Sequence, residues 1–145
     1  MTGVQTCALP ICVRISSNSP ELNPRFVAIL AENVEQGPAP FWMRHRLHLA
    51  GQRPIGVVVD VSNYVMLEIG QPNHSFDFDF LSERASRYDD SGQVHIITRQ
   101  AQDGETLTTL DGEERKLRSN NVLVTDPEGP LSLAGVMGGA ESEIR

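Results

Sequence analysis

After Cys12 the chain contains no cysteine. That absence excludes a disulfide framework and a thiolate metal site from everything downstream, and it fits a reducing compartment. No apolar run approaches the ~18 residues a membrane-spanning helix needs, so a bilayer span is excluded. Basic residues are few, 12 Lys and Arg against 19 Asp and Glu, for a formal charge of −7. The chain as a whole is therefore not a basic nucleic-acid binder, and any RNA or DNA contact is local or delivered by a larger assembly. No Ser-x-x-Lys, Gly-x-Ser-x-Gly or Cys/His pair offers a covalent nucleophile. What is present is 145 residues, 39% hydrophobic and 21% charged. That supports one domain with a globular core and is too short for two good-sized ones.

Met1 to Cys12 reads MTGVQTCALPIC, without charge or periodicity. It lacks the basic n-region and continuous apolar stretch of a signal peptide. Thr2 to Ile11 can be back-translated as ACT GGA GTT CAG ACG TGT GCT CTT CCG ATC, which resembles the end of a sequencing-library adapter. This reading predicts that residues 1–12 are an artefact packing against nothing, that the gene begins further upstream, and that the chain is a fragment. The stop at Arg145, just after Gly138-Gly139, reads as a second truncation.

Arg25 to Leu30 is apolar and partly β-branched and reads as a strand leading to Glu32–Val34. Gly37-Pro38-Ala39-Pro40 is a stiff turn, from which a helix starts at about Phe41 and closes at Gly51. Trp42, Leu47 and Leu49 give it an imperfect apolar face; Arg44, His45, Arg46 and His48 give it a cationic one. A second helix carries Val57, Val58, Val61, Val65 and Ile69 at three- and four-residue steps, with Gly70 as its stop. Its β-branched content keeps a strand open as the competing reading. Phe76, Phe78 and Phe80 alternate with Asp77 and Asp79, as in a short extended or turn segment, and Glu83 to Gly92 reads as a loop. Val94–Thr98, Thr106–Leu110, Arg115–Leu117, Val122–Val124 and Leu131–Val136 read as strands, with Asp111-Gly112 marking a tight hairpin. Helices followed by a mainly antiparallel sheet, truncated at both ends, make the expected class α+β rather than doubly wound.

His74 follows Gln71-Pro72-Asn73 just beyond a helix end, where proline fixes the backbone and a loop can project a side chain into a cleft. It could shuttle a proton or orient a ligand, although from spacing alone an exposed loop histidine is the simpler reading. His45 and His48, three apart, make a weak zinc signal without a third ligand, and a solvated cationic face is the simpler reading. Glu68, Asp77 and Asp79 flank His74 and could pair with it or hold a metal, but solvated acids are the default. Gly135-Val136-Met137-Gly138-Gly139 lacks the lysine and hydroxyl of a P-loop, so its glycines serve a sharp turn or close approach.

Several motifs stand in order: Arg53-Pro54-Ile55, Val58-Val59-Asp60-Val61-Ser62-Asn63-Tyr64-Val65, and Glu68-Ile69-Gly70-Gln71-Pro72-Asn73-His74-Ser75-Phe76-Asp77. Gly104-Glu105-Thr106-Leu107, Leu110-Asp111-Gly112 and Leu133 to Gly139 follow in register. Together they resemble the editing domain in the beta subunit of the bacterial phenylalanyl-tRNA synthetase family, from about Leu22 to Arg145. The resemblance implies hydrolysis of tyrosyl-tRNA(Phe) by water attack on the aminoacyl ester. It places the family's editing-site histidine on His74, its asparagine on Asn63 and its arginine on Arg53. Ser62 stands where threonine is common, and Gly138 is the glycine that leaves room for the tyrosyl ring. Asn73 replaces the usual methionine and Ser75 the usual alanine. The glutamate that reads the tyrosine hydroxyl in that family falls beyond Arg145, so little activity is expected of this chain alone.

The same resemblance implies as partners the tRNA(Phe) 3′ end carrying tyrosine and a synthetase alpha subunit, in a heterotetramer of two alpha and two beta. It implies a cytoplasmic protein, with no metal or cofactor in this domain and with ATP and magnesium used elsewhere in the complete enzyme. Two other readings fit: a noncatalytic structural module of the synthetase, and a stand-alone trans-editing aminoacyl-tRNA hydrolase.

Overall fold

The computed structural model describes residues 13–142 and 144; the adapter-like residues 1–12 lie outside the described residues. The chain runs β1 (Val13–Ser17), α1 (Phe41–Leu49), α2 (Val57–Ile69), α3 (Phe78–Ala85), β2 (Val94–Gln100), β3 (Thr106–Thr108), β4 (Glu114–Lys116), β5 (Val122–Asp126), β6 (Gly129–Leu133) and β7 (Met137–Gly138), then a 3-10 turn at Ala140–Ser142. It divides into two compact units, one of Ala31–Ser75 and one of the chain up to Leu30 and from Phe76 onward. The class is α+β, as expected.

In the larger unit five strands form a sheet in the order β1-β2-β5-β6-β7, and β3 pairs with β4 as a separate hairpin. Every neighbour in the sheet is antiparallel except β1, which runs parallel to β2 with Val13 opposite Val94 and Ser17 opposite Thr98. β1 precedes the helices and was not anticipated. The strand expected over residues 25–30 does not form. β2 is already paired on one edge by β1 and on the other by β5, so the backbone of 25–30 finds no ladder on it. The segment instead contributes Phe26 to the core.

The sheet's two faces carry separate cores. On one, Leu81 and Ala85 of α3 pack with Val94, Ile96, Val124 and Leu131, with Phe76, Phe78 and Phe80 around them. On the other, Leu107 and Leu117 of the hairpin region cover Ala101, Leu123 and Leu133. Leu131 and Leu133 lie two apart on β6 and would share a face in a regular strand. A register shift between Val124 and Thr125 makes Ser132 oppose Val124 and Pro130 oppose Thr125. Leu131 is the extra residue, a bulge that sends it to the helix side while Leu133 stays under the hairpin.

Phe78 and Phe80 belong to a helix rather than the extended segment expected. Asp77 caps it, its Oδ1 accepting the N–H of Asp79 at 2.9 Å and of Phe80 at 3.2 Å. Helical spacing from Phe78 through Leu81 to Ala85 then outweighs the two-residue alternation of the aromatics. Glu83 to Ala85 accordingly lie in α3, and only the remainder of the expected loop is irregular.

In the smaller unit α1 begins after Pro40 and is followed by Gly51 at φ +81. Met43 and Leu47 are its buried residues, packed with Ala39 and Tyr64, whereas the expected apolar positions Trp42 and Leu49 are exposed. α2 ends as expected, with Gly70 left-handed at φ +68 and its N–H donating to the Met66 carbonyl. Its valine stripe is not the buried face, however: Val61 and Ile69 are exposed and Asp60 is the one fully buried residue of the helix.

Candidate functional site

Four of the five expected site residues lie on or beside α2. Arg53 sits in the connection from α1, and that connection is tied down on both sides. Before it, the Gln52 N–H donates to the Leu47 carbonyl at 2.9 Å. After it, the Ile55 N–H donates to Asp60 Oδ1 at 2.8 Å, and the Val57 N–H donates to the Gly37 carbonyl at 2.8 Å. Arg53 itself is exposed, so a hydrogen-bonded backbone presents its cation at the surface. Asp60, 1% exposed, is the residue that sequence reasoning missed. Its signal was a carboxylate inside the run Val57-Val58-Val59-Asp60-Val61, where burial requires a hydrogen-bonding task.

Ser62 and Asn63 lie mid-helix and half-buried. The Ser62 hydroxyl donates to the Val59 carbonyl at 3.0 Å, the back-bond usual for a helical serine, and its oxygen retains acceptor capacity. His74 follows the left-handed Gly70 and Pro72 in the connection out of α2 and is exposed. Desolvation lowers the pKa of its imidazole below the ordinary 6.5, an effect that the exposed position moderates. The lowered pKa favours the neutral ring, the form that can accept a proton or a hydrogen bond. Gly138 belongs to the other unit. It is buried in β7, pairs with Ser132, and its carbonyl accepts the Leu110 N–H at 3.0 Å.

The neighbouring candidates have structural work. Asp77 caps α3, and His45 stacks on Phe41 at 5.9 Å with the rings 9° apart. Among the described residues no group of three or more His, Cys, Asp or Glu is placed to hold a metal ion. In the glycine-rich segment Gly135, at φ +71, turns β6 into β7. Gly139 allows close approach: a Cβ there would stand 2.4 Å from the Leu131 carbonyl oxygen. Each unit has a cleft, one of about 230 Å³ beside Arg46, Tyr64 and Glu68, the other of about 260 Å³ beside Arg84, Thr106 and Glu141. Neither is lined by Arg53, Ser62, Asn63, His74 or Gly138.

The B3/4 domain family matches residues 22–145. The chain belongs to that family. This B3/4 domain is 46% identical over 132 residues to the phenylalanine–tRNA ligase beta subunit of Dehalococcoides mccartyi strain CBDB1, covering 91% of this chain and 15% of that protein. It is 46% identical over 135 residues to the same subunit of Geobacillus kaustophilus, covering 93% and 15%. Over 125 residues it is 46% identical to that of Halalkalibacterium halodurans, covering 86% and 14%. The chain thus spans about 15% of the length of the curated relatives it matches. No helix among the described residues is long and apolar enough to cross a membrane.

Proposed function

We propose that this B3/4 domain is the editing part of a phenylalanine–tRNA ligase beta subunit and hydrolyses tyrosyl-tRNA(Phe). The observation that carries the reading is the family match over residues 22–145, and the resemblance of the motifs around Arg53, Ser62, Asn63 and His74 to that editing domain supports it. The chemical need is plain. Tyrosine is phenylalanine plus a hydroxyl, and an apolar pocket rejects such an addition by only about 10²-fold. A second site that removes tyrosine after transfer supplies the remainder.

The reaction requires no covalent enzyme intermediate. A water oxygen attacks the ester carbonyl carbon, the bond to the ribose oxygen breaks, and the water proton ends on that ribose oxygen, releasing tyrosine and intact tRNA. A neutral imidazole at His74 orients the water or the terminal adenosine, and it can take the water proton and return it to the leaving oxygen. Asn63 fixes the ester or the ribose by hydrogen bonds, Arg53 holds the RNA end, and Ser62 offers a hydroxyl. ATP and magnesium belong to aminoacylation elsewhere in the complete enzyme. The partners in this reading are the alpha subunit, in a heterotetramer of two alpha and two beta, and the tRNA, in the cytoplasm.

The test is a chimaera: the Geobacillus kaustophilus beta subunit carrying residues 22–145 of this chain in place of its own, assembled with its alpha subunit and charged with tyrosine. Wild-type chimaera should accumulate no tyrosyl-tRNA(Phe), and His74→Ala should accumulate it. Accumulation by both, with phenylalanine charging intact, would favour a noncatalytic module.

A further inference from the structure

We infer that the outer face of α1, with the cleft it forms against α2, docks single-stranded RNA. This surface is separate from Arg53, Ser62, Asn63 and His74 and does not rest on the editing reading. α1 reads Phe-Trp-Met-Arg-His-Arg-Leu-His-Leu: no acidic side chain, and four arginines or histidines, in a chain of charge −7. Packing explains only Met43 and Leu47, which are buried. It leaves Phe41 74% and Trp42 51% exposed among the cations, whereas a merely solvated helix face carries few large aromatics.

The exposed rings are held in place. Tyr64 meets Trp42 edge-on, centroids 5.4 Å apart and planes at 88°, and the Arg46 guanidinium lies 5.6 Å from the indole centroid. Arg46 Nη1 in turn donates to the Tyr64 hydroxyl at 2.7 Å. Phe41 and His45, one turn apart on α1, form a second, near-parallel pair. Two fixed ring platforms beside arginines are the elements that bind single strands: bases stack on the rings while the cations follow the phosphates. The cleft of about 230 Å³ adjoins them, with Leu47, Ala50 and Leu67 as apolar wall and Glu68 at its edge. It has room for one unstacked base, whose amino group would donate to Glu68. An acidic peptide would engage the arginines and leave both ring pairs unused.

Trp42 is the only tryptophan, so its emission reports on this face directly. Titrating the whole chain with a twelve-residue oligoadenylate should quench it saturably. With two or three phosphates neutralised, affinity should fall about 7- to 20-fold between 50 and 200 mM salt. Phe41→Ala and Arg46→Gln, both at exposed positions, should each weaken binding at least threefold while circular dichroism stays unchanged. Inorganic polyphosphate should produce no comparable quenching. Absence of saturable quenching, equal quenching by polyphosphate, or unchanged affinity in both variants would overturn the proposal. So would binding to phosphatidylglycerol vesicles in place of the oligonucleotide.

Discussion

Removing the Asp126 carboxylate should be among the most damaging single changes to this chain, for reasons that can be itemised. Asp126 ends β5 with its side chain 1% exposed, and Arg84 of α3 meets it with 11% exposed. Arg84 Nε donates to Oδ2 at 2.7 Å and Nη2 to Oδ1 at 2.8 Å, a bidentate pair. Oδ1 also accepts the N–H groups of Glu128 and Gly129, both at 2.9 Å, which closes the turn into β6. Asp126→Ala leaves a buried guanidinium unpaired, at a cost of about 3–5 kcal/mol. Glu141, whose side chain is 82% exposed, reaches Arg84 at only 3.7 Å and restores less than about 1 kcal/mol of that. For a chain of this size the thermal midpoint should fall by roughly 10–20 °C. The double substitution Arg84→Met with Asp126→Asn removes both charges and keeps an oxygen for the two turn N–H groups. It should recover at least half of the loss. Thermal unfolding followed by circular dichroism at pH 7 measures all three. A single substitution costing under 1 kcal/mol, or a double no better than the single, would refute the reasoning.

Glu105 accepts two hydrogen bonds from Arg99 and one from the Gln102 N–H, and the Arg99 contact first of all lowers its pKa below the ordinary 4.5. A depressed carboxylate stabilises the fold above its unfolded pKa and loses that contribution as pH falls through its folded one. The midpoint gap between wild type and Glu105→Gln should therefore be present at pH 7 and close below pH 4.5; a gap unchanged at pH 3 would refute the assignment. Gly139→Ala should cost about 1–3 kcal/mol, because its Cβ would meet the Leu131 carbonyl at 2.4 Å and Leu107 Cδ1 at 3.1 Å. Urea unfolding checks this, and a neutral result would mean that the β6 bulge yields freely.

The parts of the fold legible in the sequence were those coded locally. Proline before Phe41, glycine after Ala50 and Ile69, and the Asp111-Gly112 turn each fix backbone dihedrals within a few residues, and each marks a real boundary. What escaped depends on distant partners. β1 is a strand only because Val94–Thr98 offers it a parallel edge, and residues 25–30, with a comparable apolar pattern, are not one because that edge is taken. The aromatic alternation at 76–80 misled because one carboxylate, Asp77, decided for helix. Among the candidate site residues, Ser62, Asn63 and Arg53 could be placed on or beside α2 from sequence, since the helix and its glycine stop were readable. The burial of Asp60 and its bond to Ile55 were not, because periodicity ranks a carboxylate among exposed positions.

The proposed hydrolytic removal of tyrosine is measured most directly from preformed tyrosyl-tRNA(Phe). Its deacylation is followed under single-turnover conditions with the chimaeric enzyme carrying residues 22–145 of this chain. If His74 transfers a proton, His74→Ala should slow deacylation roughly 10²- to 10⁴-fold, while phenylalanyl-tRNA synthesis by the same preparation is unchanged. If His74 only donates or accepts one hydrogen bond to the adenosine, the loss should be about 1–3 kcal/mol. Equal deacylation rates for wild type and His74→Ala would contradict the account.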